Sequence, residues 1–335
     1  MWKFLQRLVL SVALLSGCAK ADSLHWQTLA PMPLAVQEIY PAVHKGKIYV
    51  AGGLSDALTQ DEQQMTAAVQ VYDAAANSWS MAASLPEPRH HAYLLSVADK
   101  LFVFGGFVIG NGGRWCASSD VLQLDEEAQQ WRKVAQLPKP LTETVAVVLN
   151  DKVHFASGRS PSGDDNAQWR DQADVNWHWL FDPQDLTFTR AAALPQAFNS
   201  ASGVALNGQF YLVGGRQVGG ANLAQLQRFN AATNSWQQLS AMPQAQGGLA
   251  AAVLGGDILV FGGEYFDHGG GVYRQVWQYQ MAKDRWQQTG TMPTPRHGLG
   301  AVTLNGKVYV LGGATVAGLN ASSNVLEAVS LAGVN

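Results

Sequence analysis

Six aromatic residues, Trp26, Trp79, Trp131, Phe188, Trp236 and Trp286, stand ahead of two rows of residues that could do chemistry. Ten to twelve positions after each aromatic the chain reads Val36-Gln37-Glu38, Arg89-His90-His91, Leu141-Thr142-Glu143, Phe198-Asn199-Ser200, Gln246-Gly247-Gly248 and Arg296-His297-Gly298. Twenty-eight positions after each it reads Leu54, Phe107, Arg159, Arg216, Glu264 and Ala314. Glutamate and histidine suit proton transfer, and a planar guanidinium fork suits a carboxylate. If the rows converge, Glu38, Arg89, His91, Glu143, Arg159, Asn199, Arg216 and Arg296 are candidates to hold a ligand, with Glu264 and His297 placed to move protons. The competing reading is that such groups only pair with one another around a wet channel.

Two other segments carry polar chemistry. Arg159 to Asn176 gathers Asp164, Asp165, Asn166, Trp169, Arg170, Asp171 and Asp174, with Trp177 and His178 just beyond. An indole among acids and amides suits a sugar, whose ring stacks while its hydroxyls hydrogen-bond; an ordinary solvated loop is the alternative. Glu264-Tyr265-Phe266-Asp267-His268-Gly269-Gly270-Gly271 is Gly-rich, but no helix follows it, so it is not a phosphate loop. No close-spaced ligand motif supports a metal, and strand geometry would point His90 and His91 to opposite sides. No metal or cofactor is therefore expected.

The elements that must position these residues follow from a repeat. Seven residues after each aromatic stands a proline: Pro33, Pro86, Pro138, Pro195, Pro243 and Pro293. Twenty-six and twenty-seven residues after each stands a small pair: Gly52-Gly53, Gly105-Gly106, Ser157-Gly158, Gly214-Gly215, Gly262-Gly263 and Gly312-Gly313. The spacing from aromatic to small pair never varies, although the repeat length runs from 48 to 57. Each unit reads as four short strands. Gly300–Leu304 meets Lys307–Leu311 across Asn305-Gly306, a dipeptide suited to the positive φ values of a two-residue hairpin. Asn207-Gly208 repeats the device, and Gly46, Ala98-Asp99, Asn150-Asp151 and Gly255-Gly256 occupy the equivalent turns. The spacing predicts an all-β fold of four-stranded blades over 24–332, a six-bladed propeller. Trp26 is a fourth strand with no blade before it, and the chain from Arg296 to Leu331 supplies three strands with no aromatic fourth. Pairing the two would remove both exposed edges. The long, variable loops after the small pairs then share one face, where function is expected.

The pattern resembles the kelch repeat: an apolar run ending in Gly-Gly, then a Tyr, then a Trp about six positions on, as in Tyr72 before Trp79 and Tyr279 before Trp286. Ser157 and Phe188 mark the third copy as degenerate. Among exported kelch propellers, the bacterial N-acetylneuraminate epimerases are similar in blade number and compartment. That resemblance implies a sialic acid mutarotase in which a Glu following a glycine pair works with a nearby Arg, here Glu264 with Arg274; His297, from the polar row, is added to the candidate catalytic set on its residue type alone. A second reading is a non-catalytic kelch module that binds a protein partner on the long-loop face. A third, a copper-radical sugar oxidase, has only Trp115-Cys116 to suggest it, since the remaining copper ligands cannot be placed.

The composition, 47% hydrophobic and 14% charged with a net charge of -3, suits a packed domain and offers no footprint for nucleic acid. Residues 1 to 21 have the layout of a secretory signal, with Lys3 and Arg7 before an apolar run from Leu8 to Leu15. Leu15-Ser16-Gly17-Cys18 resembles a lipobox, which would cleave before Cys18 and lipidate it; Ala19-Lys20-Ala21 offers the rival cleavage. The protein is expected in the periplasm, held at the outer membrane by that lipid and touching the membrane in no other way. Cys116 is the one further cysteine and is expected to be a buried small hydrophobe.

Overall fold

The computed structural model describes residues 24–59, 64–110 and 113–332. The leader, the lipobox and Cys18 lie outside the described residues. Within them the chain is all-β, with no α-helix and two single 3₁₀ turns.

Six antiparallel sheets carry a common four-stranded plan. The first comprises Ala42–His44, Lys47–Ala51, Val69–Asp73 and Ser78–Ala82, and the second Tyr93–Val97, Lys100–Phe104, Asp120–Asp125 and Gln130–Gln136. The third comprises Val145–Leu149, Lys152–Ala156, His178–Asp182 and Thr187–Arg190, the fourth Asn199–Leu206, Gln209–Arg216, Leu226–Asn230 and Ser235–Gln238. The fifth is built on Gly247–Leu254, Asp257–Tyr265, Gln275–Gln280 and Arg285–Thr291. The sixth takes Gly300–Leu304, Lys307–Leu311 and Leu326–Leu331 from one end of the chain and Leu24–Thr28 from the other, with Trp26 opposite Val329.

The hairpins form where the turn residues expect them. Both residues of Lys45-Gly46, Ala98-Asp99, Asn150-Asp151, Asn207-Gly208, Gly255-Gly256 and Asn305-Gly306 have positive φ, the conformation whose twist matches the flanking strands. Apolar side chains alternate into clusters between neighbouring sheets, such as Ile48, Val50 and Tyr72 against Tyr309, Leu311 and Leu326. The aromatic of the fourth strand also reaches back: the indole N–H groups of Trp79, Trp131, Trp236 and Trp286 donate to the carbonyls of Ala30, Ala83, Ala192 and Ser240, each in the preceding unit.

The small pairs have a specific task. The second member of each donates its N–H to a carbonyl of the following unit: Gly53 to Arg89, Gly106 to Leu141, Gly158 to Phe198, Gly215 to Gln246, Gly263 to Arg296, and Gly313 to Val36. A Cβ on the first glycine would collide with that same carbonyl in the Gly52, Gly105 and Gly262 copies, which is why the first position stays small there. The third sheet tolerates Ser157 with φ +62°. Among the first strands, Ala42–His44 touches both Tyr93–Val97 and Gly300–Leu304.

Candidate functional site

The two polar rows pair with each other one for one. Gln37 bridges Leu54, His90 pairs Phe107, Thr142 bridges Arg159, Asn199 pairs Arg216, Gly247 pairs Glu264, and His297 bridges Ala314. One position further on, Glu38, His91, Glu143, Ser200, Gly248 and Gly298 all have positive φ. There the main chain bends, and the side chains converge. Below Glu38 and Ser200 the channel narrows to a space of about 10 Å³ beside Gly248 and Gly298. At the hairpin end it widens to about 330 Å³, walled by small apolar residues such as Ala42, Val147, Ala205 and Ala301.

The converging groups form one continuous network. His91 Nε2 lies 2.8 Å from Glu38 Oε2. The other Glu38 oxygen is 3.7 Å from His297 Nδ1, and that nitrogen is 3.4 Å from Glu264 Oε2. Arg216 donates to Glu264 Oε1 at 2.5 Å and lies 3.9 Å from Glu143 Oε2. Glu143 accepts from the Arg159 guanidinium and the Trp169 indole, both at 3.1 Å, and from the Ser200 hydroxyl at 2.7 Å. Arg159 stacks on the Trp169 ring at 3.8 Å and donates to the carbonyls of Trp169 and Gln172. Asn199 donates to Asp174, and its amide oxygen lies 2.8 Å from the same Ser200 hydroxyl.

Burial and charge oppose each other here. Burial alone would push the Glu38 carboxyl up, but His91, and behind it His297 and Arg216, hold it below the usual carboxylate range. Glu143 is lowered for the same reason, burial being outweighed by His91, Arg159, Arg216 and the Ser200 hydrogen bond. His91 moves the other way: burial disfavours its charge, and Glu38 more than restores it. His90 is pushed well down by burial and by its charged neighbour. These directions favour the charged form of His91 and the neutral form of His90.

The placement of Arg89, Arg296 and Arg274 differs from expectation. Arg89 is fully buried between sheets, donating to the Gly105 carbonyl and to Glu87. Arg296 is its counterpart, held by Glu327 and the Val310 carbonyl. Both stand ten positions after an aromatic, where the side chain turns between sheets and away from the channel, so neither faces a ligand. Arg274 is exposed, because the segment from Tyr265 to Arg274 carries it outward; the guanidinium beside Glu264 comes from Arg216 of the preceding sheet. His90 and His91 do not point apart. His91 leaves the strand with φ +51°, and the two Nδ1 atoms meet at 2.6 Å.

One participant had no signal in the sequence. The Gly318 N–H donates to Glu264 Oε2 at 2.9 Å, and its carbonyl accepts from His297 Nε2 at 3.0 Å. Only the shape of the loop after Gly312-Gly313 brings it there. Cys116 is half-buried, and burial raises its thiol.

Comparisons with known proteins agree with this architecture. A KLHDC2/KLHL20/DRC7 Kelch-repeats domain model matches residues 168–329, and Kelch motif models match 88–138 and 41–86. The chain carries kelch repeats. It is 27% identical over 249 residues to the Kelch-like protein terF of Aspergillus terreus, covering 71% of this chain and 52% of that one. It is 29% identical over 140 residues to mouse Kelch-like protein 35, covering 42% and 22%. Beta-scruin of Limulus polyphemus is 20% identical over 255 residues, covering 73% of this chain and 27% of that protein. The kelch chain thus spans about half or less of these relatives. The solved structure of YjhT superposes with a TM-score of 0.75 at 18% identity, over 89% of this chain and 95% of that one. The likeness is one of fold, a β-propeller.

Proposed function

We propose that the chain is a closed, six-bladed kelch propeller that takes a small acidic carbohydrate on its long-loop face and interconverts its anomers. The observation that carries this reading is the Gly318 main chain, which offers Glu264 a donor and His297 an acceptor. A single sugar hydroxyl makes the same two bonds. The Arg216 side chain, 19% exposed where Glu143 and Glu264 are sealed, is the guanidinium within reach of a sugar carboxylate.

In this mechanism the turn from Thr315 to Ala321 swings aside and the anomeric hydroxyl replaces Gly318. Glu264 takes the hydroxyl proton. The ring carbon–oxygen bond breaks as His297 Nε2 shifts its hydrogen bond from the anomeric oxygen to the neighbouring ring oxygen and gives it the proton, while His297 Nδ1 recovers one from Glu264 across the short gap between them. The open-chain carbonyl rotates, and the reverse transfers close the other anomer. No co-reactant is consumed.

The test is proton NMR of anomeric exchange in N-acetylneuraminate and in a panel of acidic and neutral sugars. Wild type should accelerate exchange, and Glu264→Gln should lower the acceleration at least about a hundredfold, the scale of one general base. Absence of acceleration with every sugar, or full activity in Glu264→Gln, overturns the proposal. A protein-binding reading is favoured by a different observation: Trp169, Val218, Phe266, Val316 and Leu319 are all exposed on the same face. A partner protein would cover them without contacting Glu264. We also propose export to the periplasm with Cys18 lipidated, which the mass of the mature N-terminal peptide decides against cleavage after Ala21.

A further inference from the structure

A second concavity lies outside the network around Glu264. The loops after Gly214-Gly215 and Gly262-Gly263 enclose a cleft of about 340 Å³, walled by Asn222, Tyr265, Phe266, Asp267 and Tyr273. That volume falls in the range of small-molecule sites, roughly 300–1,000 Å³. Successive side chains on a strand point to opposite faces, so Tyr265 turns away from the side on which Glu264 meets Arg216. The cleft and the charged network back onto the same ribbon from opposite sides.

Its chemistry differs from that of the network. Tyr265 and Tyr273 place their ring centroids 5.0 Å apart at 45°, forming a tilted aromatic wall. Phe266 extends that wall and is 65% exposed. A Cβ at Gly271 would strike the Tyr265 ring, so glycine there leaves the ring its place. The polar groups at the rim are the Asn222 side chain, anchored by its N–H to the Glu264 carbonyl at 2.7 Å, and the exposed Asp267 carboxylate. Among the described residues no lysine or arginine lines the cleft.

We propose that this cleft is a separate binding site for a neutral pyranose ring. The C–H face of the sugar stacks on Phe266 and the tyrosines, and its hydroxyls donate to Asp267 and exchange hydrogen bonds with Asn222 and the phenols. The single carboxylate at the rim disfavours an acidic sugar. The site therefore takes a ligand that the Arg216 network has no charge to attract, and its occupation does not depend on the anomer-interconverting reading.

The experiment is saturation-transfer difference NMR with the methyl glycosides of glucose, galactose, mannose and N-acetylglucosamine, with N-acetylneuraminate run in parallel as the probe of the charged network. At least one neutral glycoside should receive saturation on its ring C–H protons. That signal should weaken at least tenfold in Phe266→Ala and in Asp267→Asn, both exposed positions that leave the core untouched, and persist in Arg216→Gln. Failure of all four glycosides to receive saturation, or a signal unchanged in both cleft variants, overturns the proposal. Loss of only the N-acetylneuraminate signal in Arg216→Gln speaks to the other site and leaves this one standing.

Discussion

Replacing Gly262 by alanine tests the reason given for the small pairs. Gly262 has φ +64°, and an alanine there carries the left-handed penalty of about 1–2 kcal/mol. Its Cβ would also sit well inside contact distance of the Arg296 carbonyl oxygen and 2.9 Å from Leu299 Cδ2. Relieving that clash needs the two units to separate, which breaks the 3.1 Å bond from Gly263 N–H to the Arg296 carbonyl and leaves buried polar groups unpaired, costing about 1–3 kcal/mol more. The sum is roughly 2–5 kcal/mol. Gly256→Ala supplies the control, since Gly256 has φ +87° with nothing within 4 Å of its would-be Cβ. It should cost only the backbone penalty. Urea unfolding followed by tryptophan fluorescence gives both values from midpoint and slope. If the two variants lose the same stability to within about 0.5 kcal/mol, the inter-unit carbonyl is not what keeps the position small.

Arg89→Met should lower stability by about 1–3 kcal/mol, because the Gly105 carbonyl loses its buried donor while the half-exposed Glu87 is left to solvent, and sugar exchange by the surviving folded protein stays at the wild-type rate; thermal unfolding and the NMR exchange assay read the two effects. Stability should fall between pH 6.5 and about 4. His154 and His178, 2.9 Å apart and buried against Phe229, are pushed by burial down to about 4 and about 3, so below 6.5 the unfolded chain binds protons that the folded one refuses. About 2 kcal/mol should be lost per histidine by pH 5, about 4 kcal/mol for the two together, and a His178→Gln variant should show a flatter decline in urea midpoints. Trp79→Phe removes the indole donor to the Ala30 carbonyl and should cost about 1 kcal/mol in the same urea assay; no loss would show that this recurring bond is incidental.

The sheets were legible because their signals are local. Asn305-Gly306 sets a hairpin by its own dihedral preferences, and the spacing from Trp to Gly-Gly repeats because one geometry is solved six times. The two polar rows were legible for the same reason, and they meet residue for residue. Which members face the channel was not, since that depends on where the chain turns left-handed. Arg89 and His91 differ by two positions and would share a face in a regular strand, yet the positive φ at His91 sends one between sheets and the other to Glu38. Arg274 was misread because its distance from Glu264 depends on the path of an entire loop. Gly318 acts through its main chain, which any residue type possesses, so no side-chain pattern could have pointed to it.

The pairing of Leu24–Thr28 with Leu326–Leu331 also sets an order of events during synthesis. Thr28 meets Glu327, so Leu24–Thr28, the first of the described strands in the chain, has no partner until nearly all of the described residues have followed it. At about 5–20 residues per second that is on the order of 15–60 seconds. Throughout it a strand edge and the Trp26 ring stand open while the first five sheets can already assemble behind them. Completing the sixth sheet thus joins segments from opposite ends of the described residues, and anything that captures Leu24–Thr28 in the interval would leave that sheet without its outer strand.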